Sequence, residues 1–160
     1  MKMIRLLAAA AVAIGLSGCF TSDKPLLTDA TSVAPYQKIT FREKSSDEVT
    51  TLTRDGKTYV AATVDGMLIM RFMPLDQPGW YLAEANGGKL EHLYAVLRVD
   101  LTRKIADAFK AVAGADDAKP GLRACDGMIC IDDVQAYIAS AKAAVAAGAD
   151  PDTTYVITVE

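Results

Sequence analysis

The chain has 160 residues, with 17 basic and 20 acidic side chains, one histidine, three cysteines and one tryptophan, for a formal net charge of −3. That balance argues against nucleic acid as a partner, which wants a basic patch or stripe. A single histidine leaves few ligands for a metal centre. The length suits one domain with a real core.

The first residues fall into three zones. Lys2 and Arg5 precede an uncharged, mostly apolar run of 11 residues, Leu6–Leu16, and Leu16-Ser17-Gly18-Cys19 follows. This is signal-peptide layout, and the run is shorter than the roughly 20 residues of a membrane span. The tetrad Leu16-Ser17-Gly18-Cys19 resembles the lipobox of bacterial lipoproteins. The resemblance implies that Cys19 receives a diacylglycerol and that residues 1–18 are removed as a lipoprotein signal peptide. It also implies that the new terminal amine is acylated, and two or three acyl chains anchor essentially permanently. Phe20, not Asp, follows the cysteine, which by the same resemblance points to the outer membrane, facing the periplasm. Without Lys2 and Arg5 the remainder carries 15 basic and 20 acidic residues, formally −5.

Residues 19–35 are rich in Thr, Ser, Asp and Pro and read as a lipidated flexible tether. The 16 residues that follow Cys19 would span about 22 Å as coil. The alternative is that Leu26-Leu27 docks on the domain. Residues 36–160 read as a single α+β domain. Tyr36–Arg42 and Thr50–Arg54 have strand character, and Asp55-Gly56 links the second of these to Lys57–Val64 in the strongest short hairpin signal. Asp65-Gly66 repeats the signal before Met67–Met73, which is apolar on both faces apart from Arg71 and so reads as covered on both sides or as lying at a curled corner of the sheet. Pro74 and Pro78-Gly79 break the run, Trp80–Ala85 continues it, and Asn86-Gly87-Gly88 turns it into Lys89–Val99. In that last strand Leu93, Ala95, Leu97 and Val99 share one face, and His92, Tyr94, Val96 and Arg98 the other.

The period then shifts. Leu101, Ile105, Ala108, Phe109 and Val112 fit one face of a helix capped by Asp100 and ended by Gly114. A second helix runs from Asp132 or Asp133 to about Ala147, with Val134, Tyr137, Ile138, Ala141 and Val145 as its apolar stripe. Thr153–Val159 is β-branched and aromatic, a closing strand. The expected fold is therefore an antiparallel meander of five to six strands plus two helices and a C-terminal strand.

Cys125 and Cys130 satisfy each other as a short-loop disulfide in an exported domain. A thioredoxin-type motif would have two intervening residues, not four. Nothing catalytic stands out, and no cofactor or metal is expected. His92 lacks the partners of a triad, Asp116-Asp117 and Asp132-Asp133 lack an EF-hand frame, and Gly87-Gly88 precedes a strand where a phosphate loop precedes a helix. Trp80 and Tyr81 are the candidates for partner contact, with capping of the core as the plainer role for the tryptophan. The expected function is a lipid-anchored envelope protein with a small non-catalytic binding or structural domain, and an envelope protein as its partner. The alternatives are an inhibitor of an envelope hydrolase and, third, an acid-only hydrolase using Glu84 and Glu91.

Overall fold

The structure, a computed structural model, describes residues 20–88, 90–109, 121–125 and 128–160. The lipobox with Cys19 lies outside them, as do Asp116-Asp117 and the end of the first expected helix. The elements in chain order are β1 (Phe20–Thr21), β2 (Lys38–Glu43), β3 (Val49–Asp55), β4 (Thr58–Thr63), β5 (Gly66–Pro74), β6 (Trp80–Gly87), β7 (Leu90–Asp100), β8 (Ile105–Phe109), β9 (Leu122–Cys125), β10 (Met128–Ile131), α1 (Val134–Ala146) and β11 (Thr153–Val159).

Strands β2 to β8 pair in sequence order, each antiparallel to the next, and β6 and β7 continue the same meander. β11 pairs with β8 on one edge and with β2 on the other, through Tyr155↔Glu43 to Val159↔Ile39. The result is a closed eight-stranded barrel with one helix among the described residues, and this corrects the expected α+β meander with two helices. Closure removes the unpaired edges that an open meander would leave.

The first expected helix is instead a turn and a strand. Asp100 does cap, but it caps the tight turn: its Oδ1 accepts from Arg103 N at 2.9 Å, and Lys104 turns the chain at φ 56°. β8 then alternates, with Ala106 and Ala108 inward and Asp107 and Phe109 outward. Both of its faces are covered, so its apolar residues also satisfied a helical period, and pairing with β7 and β11 decided the outcome. The second expected helix is α1. Asp133 caps it by accepting from Gln135 N and Ala136 N, and Tyr137, Ile138 and Ala141 are buried.

α1 lies on the outside of the barrel. Tyr137, Ile138 and Ala141 pack with Leu82, Tyr94 and Val96 of β6 and β7, and with Phe20 and Leu27. The Phe20 and Tyr137 rings stand 4.7 Å apart. β10 pairs with β9 and, in parallel, with β1, which in turn borders the early part of β7. Residues 20–35 are therefore not a tether. Phe20 is 0% exposed and Leu27 2% exposed, so the burial of a few apolar side chains outweighs the polar composition around them.

The expected turn at Asp55-Gly56 forms, with Gly56 at φ 61°. Gly87 meets a harder constraint, since a Cβ there would run into the Met67 carbonyl oxygen and the residue sits at φ 147°. Gly87→Ala should therefore cost about 2–3 kcal/mol, read as a lowered urea midpoint. A loss below about 0.5 kcal/mol would show that the β5–β6 contact is not this tight.

Candidate functional site

The barrel encloses an apolar lumen of about 320 Å³. Alternation along each strand builds it: Ile39 and Phe41 from β2, Leu52 from β3, Tyr59 from β4, Leu68, Met70 and Phe72 from β5, and Tyr155, Ile157 and Val159 from β11 face inward. On β7 the inward face is Leu93, Ala95, Leu97 and Val99, the face that alternation predicts. The interior of an eight-stranded barrel is just wide enough for side chains to fill or for one small ligand. Here five inward positions on β6, β7 and β8 are alanine: Ala83, Ala85, Ala95, Ala106 and Ala108. The opposite wall carries the aromatic groups, with Tyr59 against Phe72 at 5.7 Å and Phe41 against Tyr155 at 5.6 Å. The space is what the missing side chains leave.

Of the described residues lining the lumen only Pro35 and Leu101 are exposed, and Leu101 is 46% exposed. Both lie at the end that holds the β3–β4, β5–β6 and β7–β8 turns, so the lumen reaches the surface there. Tyr36 stands beside this mouth. Its backbone N–H donates to the Tyr59 hydroxyl at 3.0 Å, and that hydroxyl donates to the Tyr36 carbonyl at 3.0 Å. Among the described residues, the loops at the other end contribute no lining side chain.

The lumen phenols are held neutral. Burial pushes Tyr59 up against the pull of its Tyr36 hydrogen bond and the Arg54 charge, and burial pushes Tyr81 up as well. Tyr155 is pushed up to about 12, first by burial and then by the charge of Glu43.

A second cluster lies on the outer wall. Glu84, 1% exposed, faces away from the lumen in a row formed by Arg71↔Glu84 and Glu84↔Tyr94 across β5, β6 and β7. Its Oε2 accepts from the Tyr94 hydroxyl at 2.7 Å and from Leu27 N at 3.3 Å, while the Tyr94 hydroxyl accepts from Leu26 N at 2.9 Å. Arg71 Nη1 lies 3.7 Å and His92 Nδ1 3.8 Å from Glu84 Oε1, and Asp29 lies 3.8 Å from Arg71 Nε. Burial and the Glu84 hydrogen bond push the Tyr94 phenol upward. The cluster latches residues 26–33 to the barrel, and Val33 N adds a bond to Phe72 O at 2.9 Å.

The residues singled out from sequence fall in different places. Cys125 and Cys130 are at disulfide distance, with Cα atoms 5.8 Å apart, closing the β9–β10 hairpin. Trp80 is half-buried on the outer wall, stacked on Phe109 at 6.0 Å with Arg98 over both rings, whereas Tyr81 lines the lumen. His92 sits in the left-handed region at φ 45°, beside the irregularity in the β6–β7 ladder. Glu84 is buried beneath Leu27 and the Glu91 side chain is exposed. Among the described residues no group of three His, Cys, Asp or Glu side chains could hold a metal ion, and no helix is long and apolar enough to cross a membrane.

The lumen and the Glu84 latch were not found from sequence. The alanines at inward positions were the signal for the first, but their meaning depends on closure. Counting residues back from the Pro78-Gly79 and Gly87-Gly88 turns would have aligned Arg71, Glu84 and Tyr94. No protein family, curated protein or solved structure matches the chain.

Glu84→Ala should cost about 2–4 kcal/mol, chiefly because Leu27 N and the Tyr94 hydroxyl lose their buried acceptor while Arg71 keeps only Asp29. Tyr94→Phe should cost about 1–3 kcal/mol, since it leaves Leu26 N without its acceptor and takes a donor from the buried Glu84 carboxylate. Urea unfolding measures both, and a cost below 1 kcal/mol for Glu84→Ala would show that the latch is not structural. The lumen phenols predict a pH dependence. The unfolded chain loses a tyrosine proton near pH 10, before the folded chain does. Their contribution to stability is therefore complete below about pH 10 and lost as the pH rises towards about 12 for Tyr155. Stability should fall between about pH 9 and 11 in step with the 295 nm phenolate signal of the unfolded chain. Equal urea midpoints at the two pH values would contradict this.

Proposed function

We propose that the chain is a lipid-anchored, non-catalytic binding protein of the cell envelope whose lumen holds the apolar chain of a small ligand. The lumen carries this reading. Small-ligand sites are mostly apolar concavities of roughly 300–1,000 Å³, and this one has about 320 Å³, apolar walls and a mouth. A void of this kind weakens packing, and five alanines on neighbouring strands maintain it.

The ligand's length follows from the barrel. A six-residue strand rises about 20 Å, and tilted by about 40° it covers roughly 15 Å of the axis, the reach of a chain of about twelve carbons. Each buried methylene is worth about 0.8 kcal/mol, close to fourfold in affinity.

The anchor belongs to the same reading. A lipid on Cys19 would sit one residue, about 3.8 Å of chain, before the fully buried Phe20. The barrel would then rest against the bilayer with no leash, where an apolar ligand is concentrated. Labelling with an alkyne fatty acid in cells should mark the protein and fail with Cys19→Ala. Labelling that survives the substitution removes the anchor from the proposal.

The binding test is a series of neutral 1-alkanols. Affinity should rise about fourfold per methylene and level off near twelve carbons. Ala95→Leu, which fills the lumen, should lower dodecanol affinity at least about tenfold while stability holds or rises by about 0.5–2 kcal/mol. Absence of alkanol binding, or unchanged affinity in Ala95→Leu, rejects the lumen as the site.

A further inference from the structure

The two ends of the barrel differ in charge. At the mouth end, Arg54 is the penultimate residue of β3, Lys57 lies in the β3–β4 turn, and Arg103 and Lys104 follow Leu101 in the β7–β8 turn. None of these four cations has a carboxylate within 4.0 Å among the described residues. Lys38, also at this end, is neutralised by Glu160 at 3.2 Å. Asp55 and Asp100 stand nearby, and Asp100 is engaged by Arg103 N. At the far end, among the described residues, acids predominate: Glu43 lines the lumen and Asp47, Glu48 and Asp65 occupy the adjoining turns, with Lys44 and Arg42, which donates to Ser46 O at 2.8 Å, as the basic residues at the β2–β3 turn.

Arg54 connects the rim to the lumen. It shares strand parity with the inward Leu52, and its Nη1 donates to Ala34 O at 3.4 Å. The next residue, Pro35, lines the mouth. A guanidinium so placed can turn from a single backbone carbonyl to an anion held between Pro35 and Leu101. An anionic group deep in the lumen would meet Glu43 and an apolar wall, and at the mouth it would meet cations and water. Desolvation and Coulomb attraction therefore select the same orientation.

We propose that the ligand is a single-chain amphiphile with an anionic head, a carboxylate or a phosphate, bound tail-inward with the head at the Arg54 rim. This deepens the reading of the lumen as an apolar-chain site and rests on it. The test compares dodecanoate, dodecyl phosphate, dodecanol and dodecyltrimethylammonium with the full-length protein at neutral pH and low salt, by calorimetry below their micellar concentrations. The expected order is anions above alcohol by at least about tenfold and the cation weakest, with the gap narrowing as salt screens the rim. Arg54→Gln combined with Arg103→Gln should bring the anion-to-alcohol ratio close to one. Lys57→Gln with Lys104→Asn provides a second rim variant, asparagine being suited to the left-handed backbone at position 104.

Failure of all four probes to bind would overturn the lumen reading and the head-group assignment together. Binding of all four with equal affinity would overturn the head-group assignment and leave the lumen reading standing. An anion preference that survives both rim variants would overturn the rim as its source. A preference for only one of dodecanoate and dodecyl phosphate supports the proposal and separates the two head groups.

Discussion

The ladder between β2 and β11 is the constraint from which the other features follow. Its five pairs join the first barrel strand to the last and turn a meander into a tube. Without it, the inward faces of β2 to β8 would form one face of an open sheet, which other elements would have to cover. With it, those faces look at one another, and side-chain volume decides whether the centre is a core or a chamber. α1 is thereby freed from that task and packs on the outer wall, where β6 and β7 present Leu82, Tyr94 and Val96. The wall between Leu93 inside and Tyr94 outside is thus covered on both faces.

The two clusters on that wall differ in kind. The lumen is apolar and reaches the surface. The Glu84 group is polar, buried and tied to backbone groups of residues 26 and 27. Removing the carboxylate costs more than its contacts contribute, because the Leu27 N and Tyr94 hydroxyl donors it serves are left buried without an acceptor. That asymmetry suits a latch. It holds the amino-terminal segment against β5–β7 and delivers Ala34, Pro35 and Tyr36 to the mouth.

Features that depend on neighbouring residues could be read from the sequence. Asp55-Gly56 marks its hairpin through backbone conformation, Asp133 marks the start of α1, and alternation along β7 separates Leu93, Ala95, Leu97 and Val99 from Tyr94 and Val96. Features that depend on partners distant in the chain could not. Residues 105–109 satisfy a helical stripe as well as a strand, and only β7 and β11 on either side resolve the ambiguity. Phe20 sits in a stretch of threonine, serine and aspartate, and its burial depends on β7, β10 and α1. The alanines of β6, β7 and β8 look unremarkable until the barrel closes and five of them face one space.

β1 has a kinetic consequence. Both of its partners lie far along the chain: Tyr94 more than seventy residues and Ile129 more than a hundred residues after Phe20. Loops that long must close before either contact forms, and such contacts slow folding. The segment nearest the amino terminus therefore docks late, after β7 and the β9–β10 hairpin exist to receive it. Until then Phe20 and Leu27 remain accessible, and a processing enzyme acting at this end would meet an extended chain. Docking then withdraws these side chains from solvent, so the position of one two-residue strand sets the order in which the two ends of the fold are completed.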